Sequence, residues 1–168
     1  MTDAKQPEPW LRGTLNDLPA VTRAVLHALQ LADEDLNRWC SALNLQQLNA
    51  QPGGLASVAF QIRHIARSVD RLLTYAEGHQ LNDTQMAALR TEVNAGASSQ
   101  DVFEELHAAM RNAEYRIRAL APADLESQRL VGRKELPTTL GGLLVHIADH
   151  TQRHVGQAVT TAKLVRGL

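Results

Sequence analysis

The sequence of 168 residues predicts an all-α protein, specifically a four-helix bundle. Four long segments carry apolar residues at intervals of three and four, which is the spacing of one face of an α-helix. Proline, glycine and helix-capping residues separate these segments, and only one short stretch between them could form strands. Several amphipathic helices without a substantial sheet are typical of a helical bundle.

Composition and charge narrow the class of protein. Hydrophobic residues make up 44% of the chain and charged residues 21%, which is ordinary for a globular protein, and the length predicts one domain over residues 1–168. The net charge is −1, so the chain lacks the basic surface that nucleic-acid partners require. No apolar run resembles a signal peptide or a membrane span. Cys40 is the only cysteine, which excludes an internal disulfide. We therefore expect a cytoplasmic protein without nucleic-acid or membrane partners.

The first long helix is predicted from Leu18 to about Leu43, after an irregular lead-in over residues 1–16. Asp17 is expected to be the N-cap, because its side chain can accept a hydrogen bond from the first helical turn. Cys40 falls on the packed face as a small hydrophobic residue. The break at residues 51–54 has the sequence Gln-Pro-Gly-Gly, which opposes helix. The apolar face comprises Val21, Val25, Leu29, Leu36, Trp39 and Leu43.

The second long helix is predicted from Leu55 or Ser57 to Glu77. Gly78 follows it and is suited to the left-handed residue that often terminates a helix. His64 lies off the centre of the apolar stripe and is expected at its boundary. That stripe comprises Val58, Ile62, Ile65, Val69, Leu72, Leu73 and Ala76.

A long polar connector over residues 79–98 predicts a crossover between the second and third long helices, with a short helix at about Thr84–Val93. Ser98 and Asp101 form a capping-box pattern, so the third long helix is expected to start there and run to about Leu120. Its apolar line is Val102, Leu106, Ala109, Ala113, Ile117 and Leu120.

Residues 121–137 mix proline, glycine and charge. A small hairpin is predicted, pairing Gln128–Val131 with Lys134–Leu136, and the basic residues Arg129, Arg133 and Lys134 are expected on a solvated loop. Thr138 is expected to cap the fourth long helix, which is predicted over Pro137–Arg166. The centre of its apolar face comprises Leu140, Leu143, Leu144, Ile147, Ala158 and Val165.

Three histidines recur every four residues on the fourth helix: His146, His150 and His154. Each step of four advances the side chain by about 40°, and such neighbours lie roughly 5–6 Å apart, so two imidazoles can bind one divalent ion. The helical wheel places His154 and His150 nearer the apolar face than His146. These two are therefore the favoured ligands, and a third ligand is needed from another helix. The alternative is that these histidines form ordinary hydrogen bonds or face water, which is also the expectation for the isolated His27 and His107.

Two segments resemble the DinB-like superfamily. One is residues 61–67, which carry His64 early in the second long helix, and the other is residues 143–157, which contain the pattern H-x₃-H-x-G-Q. The resemblance implies that His64, His150 and His154 bind a divalent metal ion. It also implies an up-down-down-up bundle with a long crossover between helices two and three, which often forms a homodimer. Asp149 replaces an asparagine frequent in the family, and the surroundings of Arg153 and Val155 also differ, which bears on the substrate rather than on the metal.

Three neutral imidazoles would leave at least one metal position open for water or substrate. Zinc, nickel and iron all suit such ligands, so the metal is left open. The resemblance implies thiol-dependent transferases, an isomerase and many proteins without known activity, so a small molecule, including a low-molecular-weight thiol, is the expected partner. No catalytic base is identified. Tyr75 and Gln157 are candidates to contact substrate or a ligand, and His146 either supports His150 or lies at the surface.

Two hypotheses follow. The first is a divalent-metal-dependent enzyme of the thiol-transferase or hydrolase type, in which the metal polarises a bound water or thiol. The second is a bundle, with or without metal, that acts in stress response or protein interaction without catalysing a reaction. An open metal position beside a pocket would favour the first, and a large apolar outer patch would favour the second.

Overall fold

The chain is mainly helical, and the computed structural model describes residues 6–94 and 96–167. Two short 3-10 turns occur at Pro9–Leu11 and Pro52–Gly54. A two-stranded antiparallel sheet joins β1 (Gln128–Val131) to β2 (Leu136–Thr139). The helices are α1 (Ala20–Cys40), α2 (Leu45–Asn49), α3 (Val58–Ala76), α4 (Asp83–Arg90), α5 (Ser99–Leu120) and α6 (Leu140–Val165). The all-α class is thus consistent with the structure, but a strict four-helix bundle is too simple a description of six helices and a hairpin.

The start of α1 differs from the prediction. Pro19 occupies the N-cap position and makes no side-chain cap, whereas the predicted cap, Asp17, accepts a hydrogen bond from Arg118 on α5 at 3.3 Å. The lead-in is ordered where it is described, because Arg12 donates two hydrogen bonds of 2.6 and 2.7 Å to Glu34 on α1. Its first five residues lie outside the described part of the chain. The salt bridge between Arg12 and Glu34, rather than an N-cap, holds the lead-in against α1.

The end of α1 also differs, because the helix stops at Cys40 and α2 follows as a separate turn. Asn44 and Gln47 form a reciprocal capping box that starts α2, which the periodicity of apolar residues did not predict. The predicted starts of the next long helices agree better. Ser57 accepts from the Phe60 amide to start α3, and Ser98 forms the predicted capping box with Asp101 at the start of α5.

The hairpin shifts the start of α6 from the predicted Pro137 to Leu140. Pro137 and Thr138 lie in β2, where Thr138 pairs with Arg129, so the N-cap falls to Thr139, which accepts from the Gly142 amide at 3.0 Å. Arg129 is not on a solvated loop, since its Nε donates to the carbonyl of Ala76 at the end of α3, at 2.6 Å. The sheet is therefore attached to the helical body.

The long helices α1, α3, α5 and α6 share one interior. α6 packs against α1 and α3, and α3 packs in turn against α5. One apolar cluster joins the second halves of α1 and α6 to the first halves of α3 and α5, and a second cluster joins the remaining halves. Consequently α1 and α6 run in one direction and α3 and α5 in the other. Fully buried side chains of these clusters include Leu36, Ile62, Ile65, Leu73, Leu106, Ile117, Leu144 and Ile147.

The connection from α3 to α5 is the predicted crossover. Gly78 ends α3 in the left-handed conformation, with φ of +86°. The short helix α4 ends at Arg90 rather than Val93, and the chain then turns so that Glu92 faces α3. Among the described residues, no helix is both long and apolar enough to cross a membrane.

Candidate metal centre

Three histidines meet at the seam between α3 and α6. Nε2 of His64 lies 3.4 Å from Nε2 of His150. The ring of His154 lies 4.3 Å from the ring of His64 and 4.5 Å from that of His150, measured between centroids. One nitrogen from each ring lies within 4.8 Å of the others. All three side chains are half-buried, so the cluster lies at the boundary of the helical body; this was expected for His64, whereas the helical wheel had placed His154 on the apolar face.

Helix geometry explains the convergence. His150 and His154 are one turn apart on α6 and point to the same side because they are four residues apart. The packing of α3 against α6 carries His64 to that side. Below the cluster, the apolar side chains of both helices form the interior, so the histidines occupy the outer edge of a well-packed seam.

His64 has a charged partner that the sequence did not indicate. Its Nδ1 lies 2.8 Å from Oε2 of Glu92, and Arg71, two turns further along α3, bonds to the other oxygen of the same carboxylate. Glu92 is only 4% exposed. In the sequence it is a single acid in a polar connector, and neither periodicity nor a motif distinguishes it there.

A chain of two carboxamides orients His154. Gln61 is 3% exposed, and its Oε1 lies 2.6 Å from Nδ1 of His154. The Gln61 amide group donates to Oε1 of Gln157 at 2.9 Å. Because this second bond uses the NH₂ group of Gln61, its oxygen is left to accept from the imidazole. Gln157, predicted to contact substrate or a ligand, therefore orients His154 indirectly, by accepting a hydrogen bond from Gln61. No feature of the sequence distinguished Gln61 as a partner of His154.

His150 has the third such partner. Its Nδ1 lies 3.5 Å from the hydroxyl of Ser68, which itself donates to the carbonyl of Ile65 at 3.2 Å. The Ser68 oxygen therefore presents lone pairs to the imidazole. Each of the three Nδ1 atoms thus faces a hydrogen-bond acceptor, which favours the tautomers that carry the proton on Nδ1. In those tautomers all three Nε2 atoms carry lone pairs.

Electrostatics favours the neutral forms of His150 and His154. Burial, followed by the charges of His154 and His64, lowers the pKa of His150 to about 4. Burial and the charges of His64 and Arg153 lower the pKa of His154 to about 4 as well. Burial by itself would raise the pKa of Glu92, but hydrogen bonds from His64 and Arg71 outweigh it and hold that pKa below its usual value. Near neutral pH His150 and His154 are therefore neutral, and Glu92 is ionised.

The distance between ligand atoms tests whether these residues fit a metal ion. Tetrahedral zinc has Zn–N bonds of about 2.0–2.1 Å, which places two ligand nitrogens about 3.3–3.4 Å apart. The separation of 3.4 Å between the Nε2 atoms of His64 and His150 matches that value. The same distance also suits a hydrogen bond when one of the two rings carries a proton on Nε2, and a metal ion would take the place of that proton. The residues present therefore fit a divalent metal ion.

The other residues considered in the sequence lie at the edge of the three-histidine cluster or outside it. His146 is exposed and touches only the ring of His150 among the three ligand candidates, with centroids 5.4 Å apart. Tyr75 is buried in the second apolar cluster and is not a partner of any of the three histidines. His27 bonds to Thr14, and His107 bonds to Asn37, so neither belongs to the cluster.

A cavity adjoins the histidine cluster beside His64. The ring of Phe60 stacks on the His64 imidazole, with centroids 5.5 Å apart and planes 15° from parallel. Phe60 and Glu92 line a cavity of about 450 Å³, together with Asn49, Ser57 and Asn94. This volume is in the range of small-molecule sites, and the wall combines an aromatic face with carboxamide and hydroxyl groups.

Comparison with known proteins agrees with the resemblance. The family model of the DinB superfamily matches residues 28–158, which include all three histidines of the cluster. A search of curated proteins gives no match.

Proposed function

Since this chain belongs to the DinB superfamily, we propose that it is a metal-dependent enzyme whose divalent ion is held by His64, His150 and His154. The observation that carries the proposal is the common orientation of the three imidazoles. Every Nδ1 faces an acceptor, and two of the Nε2 atoms lie at the separation that tetrahedral metal ligands adopt.

The ligand set favours a reactive centre over a structural one. Structural zinc sites usually close with four protein ligands, often cysteines, whereas three protein ligands leave a position for water or substrate. When bound, a divalent ion of this kind favours deprotonation of a water or thiol ligand near neutral pH. Zinc, nickel and iron all remain compatible with three imidazoles.

The nucleophile is proposed to come from solution. Cys40 is fully buried on α1, and burial raises the pKa of its thiol to about 12. Glu92 already bonds to His64 and Arg71, so its carboxylate is committed to these partners. A low-molecular-weight thiol or a water molecule is therefore the proposed nucleophile, and the cavity beside Phe60 is the proposed position for part of the substrate. Thiol transfer is the first choice and hydrolysis the second.

Cobalt substitution tests this proposal. A thiolate bound to cobalt gives a charge-transfer band in the near ultraviolet, so a panel of low-molecular-weight thiols should produce that band in the parent protein. His154→Ala should abolish it, and Cys40→Ala should leave it unchanged. Absence of the band together with hydrolysis of a model ester or amide would move the assignment to a hydrolase. If the protein takes up metal but neither reaction occurs, the non-enzymatic metal-binding bundle becomes the preferred function.

A further inference from the structure

Glu92 occupies an unusual position for a buried carboxylate. It lies between α4 and α5 in the crossover, next to Val93, which is 74% exposed, yet Glu92 itself is only 4% exposed. Burial of an unpaired carboxylate is strongly unfavourable, so the partners of Glu92 must account for its buried position. Both of the described partners, His64 and Arg71, lie on α3.

The crossover has other attachments to α3, but none of them reaches a ligand candidate. Arg67 donates to the carbonyl of Ala88 at 2.6 Å and to the hydroxyl of Thr91 at 3.0 Å. Arg63 donates to the carbonyl of Asn94 at 3.0 Å. These bonds attach the crossover to α3 without involving a histidine of the cluster. Glu92 alone among these contacts joins the crossover to one of the three histidines.

Glu92 also differs from the other two partners of the histidines. Gln61 and Ser68 offer an amide and a hydroxyl oxygen, whereas Glu92 offers a carboxylate that also bonds to Arg71. Charge-assisted hydrogen bonds are roughly twice as strong as neutral ones. A cation at Nε2 of His64 withdraws electron density from the ring and strengthens Nδ1 as a donor. The pair of His64 and Glu92 is therefore the one that responds most strongly to metal binding.

On the basis of the proposed metal site, we infer that Glu92 is a positioning residue that couples metal binding to closure of the crossover. The carboxylate orients His64 for the ion, and the ion strengthens the bond that holds residues 88–94 against α3. Coupling of this kind is reciprocal, so the closed crossover raises metal affinity to the same extent that metal stabilises the closed crossover. Since Glu92 and Val93 line the cavity beside Phe60, metal binding also fixes one wall of that cavity.

The test measures zinc affinity by chelator competition at pH 7 in the parent, Glu92→Gln and Thr91→Val. Mutation of such a partner of a metal-binding histidine typically weakens the affinity by about 10–100-fold, and we expect this for Glu92→Gln because the carboxamide carries no charge. Thr91→Val removes the hydroxyl bond to Arg67 but leaves the bond from Arg67 to the carbonyl of Ala88, so the crossover stays attached and the affinity should stay within about 2-fold of the parent. Circular dichroism verifies that each variant is folded.

Hydrogen exchange supplies a second readout, which measures the crossover itself. Zinc should slow amide exchange in residues 88–94 of the parent, and this protection should be lost in Glu92→Gln. If the parent binds zinc and Glu92→Gln binds it equally tightly, or if zinc leaves exchange in the crossover unchanged, the inference is wrong while the metal site stands. If the parent binds no metal, the proposed function fails first and the inference fails with it.

Discussion

Removal of one histidine from the cluster should distinguish ligand from neighbour on the same helix. His154→Ala removes an imidazole whose ring lies 4.3 Å and 4.5 Å from the rings of the other two ligand candidates. His146→Ala is the matched control, because it removes an exposed imidazole eight residues earlier on α6 that, of the three ligand candidates, contacts only His150.

The expected size of the effect follows from the number of ligands. Zinc sites with four protein ligands bind with about 10–16 kcal/mol, so one ligand contributes on the order of 3 kcal/mol. His154→Ala should therefore weaken metal binding by about 100-fold or more, whereas His146→Ala should change it by less than about 3-fold. The parent should bind about one ion per chain, because the three histidines form one site.

Two measurements check this expectation. Elemental analysis of purified, tag-free protein gives the stoichiometry, and chelator competition gives the affinity of each variant. Thermal unfolding of the metal-free proteins shows whether a variant is folded. Parental affinity in His154→Ala would remove His154 from the ligand set, and loss of metal in His146→Ala would show that the other histidine pair binds the ion.

Four further predictions can be checked with standard assays. Gln61→Leu should weaken metal binding by about 10–100-fold in a chelator titration, since it removes the acceptor for Nδ1 of His154. As the control, Gln152→Leu removes a hydrogen bond from a glutamine side chain on α6 to the carbonyl of Ala28, and it should leave the affinity unchanged. Metal at about 100 times its Kd should stabilise the fold by about 2.7 kcal/mol and raise the Tm by about 5–10 °C. Helicity measured by circular dichroism should not change, because the apolar clusters do not depend on the ion. An unfolded metal-free protein would show that the site is structural. Cys40 should react with a thiol reagent only on unfolding, since it is fully buried and its pKa is raised to about 12, and rapid reaction in the folded protein would contradict the packing of α1. Random duplex DNA should not bind at physiological salt in a fluorescence anisotropy titration, because a net charge of −1 offers no basic surface, and a salt-sensitive submicromolar complex would refute this.

Local sequence determined the parts of this protein that depend on neighbouring residues. The capping box of Ser98 and Asp101 and the glycine after α3 mark helix ends because their bonds and backbone angles involve only nearby residues. The spacing of four between His150 and His154 likewise places both on one side of α6 before any packing is known. Family resemblance added His64, which the periodicity of α3 left at the edge of the apolar stripe.

Tertiary structure decided whatever depends on residues distant in the chain. Thr139 rather than Thr138 caps α6 because the pairing of β2 with β1 takes Thr138 into the sheet. Asp17 lost its predicted role as a cap, and the fold places it beside Arg118, about a hundred residues away. Glu92 is the clearest case, because its partner His64 lies on another element and 28 residues earlier. Periodicity describes which side of a helix is apolar, but it carries no information about the path of a polar connector. The path depends on the positions of Arg71 and His64 after the helices have packed. Only the folded chain therefore shows that Glu92 bonds to a histidine of the cluster.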